Sequence, residues 1–406
     1  MPMTSRSALR SLALALAAAG GARPLAAQQP LTRGQVVAAA LARGPRVALA
    51  ASDTAAARAD VISARAFQNP TVSASYSKDV PQYHAAVELP LDLPWLRSAR
   101  IRVATEARTS ARLRFAFERA SARFDAEQAY DAALAATAQA RLSRRTALDA
   151  DSLLRMARLR RDAGDASELD VQLATVNAGQ LANDAAGDSA DAVGALLDVQ
   201  RVMGLAADRA TIALADTLAL PQADTGAAAG ATLQIAAAEA SVRSADAALA
   251  LARRSAFAAP SLTFGFDTHD PTGAEPGLLP TFGLALTLPL LSWNGGGIAA
   301  AAAAQDRARA ELEVSRRESD AAVAQARRDL AVAAQKATRD RGLVASADRV
   351  AAMSLTAYAE GAVALPSVLE AQRQAREALG HLVDDLAAAN TAAAAVRLFT
   401  ASEGAP

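Results

Sequence analysis

The chain contains no cysteine and only three histidines, His84, His269 and His381, widely separated in sequence. The first absence excludes disulfides, thiolate metal sites, cysteine nucleophiles and an acyl-cysteine lipid anchor. The second leaves little for metal chemistry, and no cofactor is expected. An excess of one charge is also missing. The 42 basic residues balance 42 acidic ones, so a basic face for nucleic acid is not expected. Aromatics are scarce at 4%, and much of the 52% hydrophobic content is alanine. Alanine combines the best helix propensity with little bulk, which favours long, closely spaced helices over a compact core of large side chains. Beyond the N-terminal segment, no charge-free apolar run reaches the ~20 residues of a membrane helix; Ile298 to Ala304 is far too short. Any membrane crossing must then use strands.

What is present begins with an export signature. Arg6 and Arg10 supply a basic region, Leu12 to Ala19 a short apolar run, and Pro24-Leu25-Ala26-Ala27 a cleavage site before Gln28. Residues 1–27 are expected to be a signal peptide.

The rest of the chain is written twice. Pro70 and Pro260 each precede an alternating strand pattern, 190 positions apart. Leu89-Pro90-Leu91 returns as Leu288-Pro289-Leu290 after 199, and Ala163-Gly164 as Glu360-Gly361 after 197. Ordered landmarks at nearly constant offset mark a duplication. A first repeat is expected over 28–207, a linker with one short strand over 208–230, a second repeat over 231–399 and a tail over 400–406. Each repeat reads as an amphipathic helix (33–67 and 231–257), a strand hairpin, a very long helix, a glycine turn and a returning helix.

The strands alternate with period two. Val72, Ala74 and Tyr76 interleave with Thr71, Ser73, Ser75 and Ser77; Val87, Leu89 and Leu91 interleave with Ala86, Glu88 and Pro90. In the second hairpin, Leu262, Phe264 and Phe266 oppose Thr263, Gly265 and Asp267, and Phe282, Leu284, Leu286 and Leu288 oppose Gly283, Ala285 and Thr287. One apolar and one polar face suit a barrel wall between lipid and water, and equally a half-buried sheet in a soluble domain. Length favours the barrel, since about nine residues approaches the 9–11 of a tilted membrane strand. Four strands cannot close a barrel, and open edges in lipid leave backbone groups unsatisfied. Three identical chains would supply twelve.

From Arg97 to Ala163 there is no proline or glycine, so one helix of about 100 Å is expected. Leu113, Phe117, Ala120 and Phe124 have the spacing of a packing seam, with Arg112, Glu118, Arg119, Arg123 and Asp131 on other, mostly solvated faces. A companion helix is expected from about Ser292 to Glu360, interrupted by Gly295 to Gly297 at its start and Gly342 within. Gly164 and Gly361 sit where the long helices reverse, and glycine can take the left-handed conformation that ends a helix.

Together these landmarks resemble the TolC-type outer-membrane efflux proteins, over about Leu31 to Phe399. The resemblance rests on Asn69-Pro70, Ala259-Pro260 and the two Leu-Pro-Leu triplets. It rests also on Gly164-Asp165-Ala166-Ser167-Glu168-Leu169-Asp170-Val171 and on Gly361 with Val368-Leu369-Glu370-Ala371-Gln372. Leu89-Pro90-Leu91-Asp92-Leu93-Pro94 with Arg97 and Arg100 looks closest to the heavy-metal efflux branch. The resemblance implies a mainly α fold with a small β part. It implies a homotrimer with a twelve-strand barrel and a long helical periplasmic tunnel, set in outer-membrane lipid. It further implies a periplasmic adaptor and an inner-membrane efflux transporter as partners, docking at the turns of Gly164, Asp165, Gly361 and Ala362. A ring of carboxylates often closes such a tunnel. The matching positions here are Asp170 and Leu173 in the first repeat and Ser367 and Glu370 in the second, one acid each. Crowding by three-fold symmetry would raise their pKa values and attract cations.

Two other classes fit the sequence less well. For an enzyme, there is no dinucleotide or phosphate-loop fingerprint, zinc signature or nucleophile elbow. Gly295-Gly296-Gly297 opens a helix but lacks the following lysine and hydroxyl residue. His84 and His269 read as exposed loop residues near the hairpin tips, and His381 as a residue of the last helix. A soluble periplasmic coiled-coil scaffold, or the adaptor itself, is the alternative, but adaptors carry the helical hairpin once.

Overall fold

In a computed structural model of the chain, the described residues are 30–79, 81–221, 232–255, 259–268, 277–286, 289 and 292–402. The expected signal peptide, linker residues 222–230, His269, Leu288, Leu290 and tail residues 403–406 lie outside them. The elements run α1 (Arg33–Arg43), α2 (Pro45–Arg65), β1 (Thr71–Tyr76), β2 (Tyr83–Pro90), α3 (Pro94–Asp162) and α4 (Glu168–Val202). Then follow α5 (Leu233–Arg254), β3 (Ser261–Thr268), β4 (Leu279–Ala285), α6 (Gly295–Ala359) and α7 (Leu365–Thr400).

One helix was expected over 33–67, and two are observed. Proline disfavours the helical conformation in the residue before it, and Gly44 accordingly sits at φ −60°, ψ 138° before Pro45. The uninterrupted 69 residues of α3 span about 100 Å. Gly342 does not break α6, which runs 65 residues from the glycine triplet onward. A glycine inside a helix costs propensity but removes no hydrogen bond.

The four strands form one antiparallel sheet in the order β1-β2-β3-β4, so the two hairpins meet along β2 and β3. The strands span six to eight residues, shorter than the nine expected. In the first hairpin the ladder stops at Tyr76↔Tyr83, where the chain turns and the Ser77 N–H donates to the Gln82 carbonyl.

Below the sheet the helices pack side by side in a layer. Its upper half runs in the order α2, α3, α5, α6 and its lower half α4, α3, α7, α6, with α3 central in both. The interfaces are dominated by alanine, which lets long helices approach closely. The most buried face of α3 is Ala122, Ala126, Tyr130 and Ala133, while Phe117 and Phe124 of the expected seam are only half-buried.

At mid-height, Val36, Ala40, Ala126, Tyr130, Leu134 and Val199 form a core that joins α1, α3 and α4. The linker packs here. Leu31 and Leu214 form an isolated parallel bridge in place of the short strand expected, and the Tyr130 hydroxyl lies 2.9 Å from the Asp216 carboxylate. Gln200, fully buried, donates to the carbonyls of Ala206 and Arg209 and accepts from the Thr211 N–H.

Asp131 corrects the expectation of a solvated acid. It is 1% exposed, bonded to Arg33, which also donates to Asn390 of α7 at 3.3 Å. Burial pushes its carboxyl up to about 6, with the Arg33 charge opposing. A buried charge persists only where it is paired, and the partner here arrives from a distant part of the chain.

Candidate functional site

Two regions carry functional geometry: the sheet at one end of the helices and the helix turns at the other. The pairing register assigns the faces of the sheet. Val72, Val87, Phe264 and Phe282 form one cross-strand row, and Leu89, Leu262 and Leu284 another. Paired residues share a face and neighbours along a strand alternate, so these rows stand on the same side. The opposite face presents Ser73, Ser75, Glu88, Ser261, Thr263, Gly265, Asp267 and Thr281. Among the described residues no element covers the apolar side: Val72 is 75% exposed, Phe282 78% and Leu284 68%. Outer strands β1 and β4 each have one edge without a partner among the described residues.

His84 belongs to this polar face. It lies within β2 rather than in a tip loop as expected, because the ladder reaches Tyr76↔Tyr83. Its Nδ1 is 2.8 Å from the Asp267 carboxylate across the strand pair, and its Nε2 3.3 Å from the Ser77 hydroxyl. Gly265 allows the sheet to pack closely on this side. A Cβ there would come within 2.7 Å of the Ala85 carbonyl and 2.6 Å of the Thr281 hydroxyl.

The two helix turns at the far end share one design. Gly164 (φ 87°) and Gly361 (φ 78°) are left-handed. In the first turn the N–H groups of Gly164 and Asp165 donate to the carbonyls of Arg161 and Arg160; in the second, those of Gly361 and Ala362 donate to Tyr358 and Ala357. This paired pattern satisfies the last carbonyls of α3 and α6. All four turn residues are exposed.

The two turns are joined side by side through a core of Leu153, Leu154, Ala157, Val171, Tyr358, Leu365 and Val368. Arg160 reaches across from α3, donating to the Tyr358 and Asp165 carbonyls, with its guanidinium 4.7 Å from the Tyr358 ring centre. Burial pushes the Tyr358 phenol up; Arg160 works the other way and Asp170 adds to the rise. Neither Arg160 nor Tyr358 stood out in the sequence, because their significance lies in a contact 198 residues long.

The two candidate gate acids have local partners. Asp170 closes the capping box of α4, its carboxylate accepting from the Ser167 N–H at 3.0 Å and hydroxyl at 2.8 Å. Glu370 is held by Arg373 at 2.7 Å and by Gln374 at 2.8 Å, and these donors lower its carboxyl to about 2. The segment after β2 builds the junction between sheet and helix: Asp92 is clasped by Arg97 at 3.3 Å and Arg100 at 2.9 Å. Gly295 to Gly297 open α6, where a Cβ on Gly297 would meet the Asn294 side chain at 2.3 Å. His381 is exposed on α7. Among the described residues, no group of three or more His, Cys, Asp or Glu is placed to hold a metal ion.

Comparison with known proteins gives the fold. No protein-family model and no curated protein sequence matches the chain. Solved structures do. A membrane protein from Pseudomonas aeruginosa superposes with TM-score 0.78 at 19% identity, covering 94% of this chain and 98% of that one. The outer membrane protein VceC of Vibrio cholerae gives 0.77 at 16%, covering 91% and 95%. The CmeC outer membrane channel of Campylobacter jejuni gives 0.76 at 15%, covering 91% and 85%. The fold is therefore that of outer-membrane channels built from a few strands and a long helical body.

Proposed function

We propose that the chain is the outer-membrane exit duct of a tripartite efflux system, a non-enzymatic homotrimer. An inner-membrane transporter would drive substrates through a periplasmic adaptor and into its pore. The observation that carries this reading is the four-strand sheet, whose apolar face is uncovered and whose two edges are unpaired among the described residues. Within lipid each unpaired edge group costs several kcal/mol, and closure with identical chains removes every edge.

The helices support the same closure. Large apolar residues are exposed on the flanking helices: Leu49 and Ile62 on α2, Leu169 and Val176 on α4, and Leu343, Val350 and Met353 on α6. Among the described residues none is so exposed on the interior helices α5 and α7, while central α3 exposes Leu148 and Leu159 in its lower half. A head-to-tail contact between the α6 side of one copy and the α2/α4 side of the next buries both sets, and such contacts close into rings.

In this reading the turns at Gly164, Asp165, Gly361 and Ala362 form the periplasmic rim and dock the adaptor. Asp170 and Glu370 lie near the narrow end as gate acids. Glu370 is offset by Arg373, so the cation-attracting role falls mainly on Asp170. Assignment to the heavy-metal branch is the finer reading, supported by the Leu89 to Pro94 segment with Arg97 and Arg100. Loss of the gene would then sensitise cells to metal ions rather than to drugs.

Fractionation separates the duct from a soluble periplasmic scaffold. The duct requires detergent for extraction and conducts in planar bilayers; release by osmotic shock, with no conductance, would contradict it.

A further inference from the structure

Both tryptophans of the chain sit at the junction of sheet and helices, at corresponding places in its two halves. Trp95 is the second residue of α3, and Trp293 lies two residues before α6. They are 55% and 59% exposed. Both are pinned through neighbouring backbone: Arg254 donates to the Trp95 carbonyl at 3.4 Å, and Asn294 donates to the Ala252 carbonyl at 2.9 Å.

The surrounding charge is mostly positive. Arg65 ends α2, Arg253 and Arg254 end α5, and Arg97 and Arg100 lie near the start of α3. Two acids lie at this level among the described residues: Asp92, whose side chain is 6% exposed and clasped by Arg97 and Arg100, and Glu88, which stands on the opposite, polar face of the sheet and accepts from the Ser261 hydroxyl. The next acids along the helices are Asp60, Glu106, Asp246 and Asp306, each at least five residues further from the sheet. A net positive belt thus stands in a chain whose overall charge is zero. Cations favour helix C-termini, which accounts for Arg65, Arg253 and Arg254. Arg97 and Arg100, at the start of α3, reach back to the same end of α2 and donate to the Arg65, Ala64 and Ala66 carbonyls, which leaves Arg65, Arg253 and Arg254 as the exposed charges of the belt.

The belt begins where the exposed apolar face ends, next to the Leu89–Leu262–Leu284 row. Tryptophan settles at the boundary between hydrocarbon and water, and arginine there meets phosphate oxygens. We infer that this belt binds the headgroups of anionic glycerophospholipids in the periplasmic leaflet, with Trp95 and Trp293 seated at the acyl boundary and Arg65 and Arg253 selecting the charge. The inference rests on the barrel reading above and names its lipid partner.

Having only two tryptophans makes the test direct. Trp95→Phe and Trp293→Phe each leave one reporter in the intact assembly, which is reconstituted into phosphatidylcholine vesicles. A fixed fraction of brominated phosphatidylglycerol or brominated phosphatidylcholine is then included. The expected result is quenching of both reporters by brominated acyl chains, several-fold more effective from the anionic lipid. That preference falls in Arg65→Gln/Arg253→Gln and at high salt. Equal quenching by the two lipids would overturn the anionic selectivity. Vesicle-bound protein whose tryptophans respond only to aqueous iodide would overturn the belt as a lipid contact while leaving the barrel intact. Protein that does not float with vesicles would instead overturn the barrel reading beneath it.

Discussion

The Arg160 guanidinium lies 4.7 Å from the centre of the Tyr358 ring, joining the ends of the two longest helices of the chain. The same guanidinium donates to the Tyr358 and Asp165 carbonyls, so one side chain spans both glycine turns. Arg160→Ala is expected to weaken the rim by about 1–2 kcal/mol, from the lost cation–π contact and charged hydrogen bonds. Distances between spin labels on the two turns should broaden, with little change at the sheet. An unchanged distribution would contradict the clasp.

Tyr358 separates ring from hydroxyl. Its ring is buried in the rim core, but among the described residues its hydroxyl has no hydrogen-bond partner. Tyr358→Phe should therefore be neutral or slightly stabilising in thermal melts, since it removes a desolvated polar group. Tyr358→Ala should cost about 3–5 kcal/mol by leaving a cavity.

The glycines of the sheet are not equivalent. At Gly265 a Cβ meets the Ala85 carbonyl at 2.7 Å, whereas at Gly283 it meets only the Thr263 side chain at 3.4 Å. Gly265→Ala should lower the yield of heat-resistant oligomer on semi-native gels, because backbone cannot yield cheaply. Gly283→Ala should be tolerated. Equal behaviour would contradict the packing.

Asp131 gives a pH dependence with a definite sign. Burial raises its folded pKa from 3.8 to about 6; Arg33 and Arg397 oppose the rise and Glu127 adds to it. The folded state then holds the proton more tightly than the unfolded chain. Its stabilising contribution is full below about pH 4 and is lost as pH rises through about 6, a change of about 3 kcal/mol. Asp131→Asn, which cannot titrate, should flatten the melting temperature between pH 4 and 7 relative to the wild type. Parallel curves would contradict the assignment.

Much of the architecture was legible because it depends on local rules. The 69 residues of α3 contain no breaker, both turn glycines occupy the left-handed positions their spacing suggested, and the strands alternate as a two-faced sheet must. The break at Gly44 was also written in the sequence, since Pro45 constrains the residue before it. What could not be read depends on partners far along the chain. Asp131 resembles any helix-face acid until Arg33 arrives from 98 residues away. Of the residues spaced four-three-four on α3, Leu113 is buried but Phe117 and Phe124 are only half so, because these helices pack closest through alanine at Ala122, Ala126 and Ala133. Asp170 and Glu370 follow from their spacing after the turn glycines, but their hydrogen bonds to Ser167 and Arg373 depend on rotamers that spacing does not set.

Closure of one barrel from several copies can be tested covalently, because the native chain offers no competing thiol. Strands β1 and β4 lie at opposite edges of the sheet, about 14 Å apart across three ladder spacings, far beyond the reach of a disulfide within one chain. Cysteines are placed in pairs along them, beginning with Ser73→Cys and Thr281→Cys and shifting register in steps of two. Oxidation in membranes should drive at least one pair to a covalently closed trimer on a non-reducing gel. A chain that stays monomeric for every register would contradict the shared barrel.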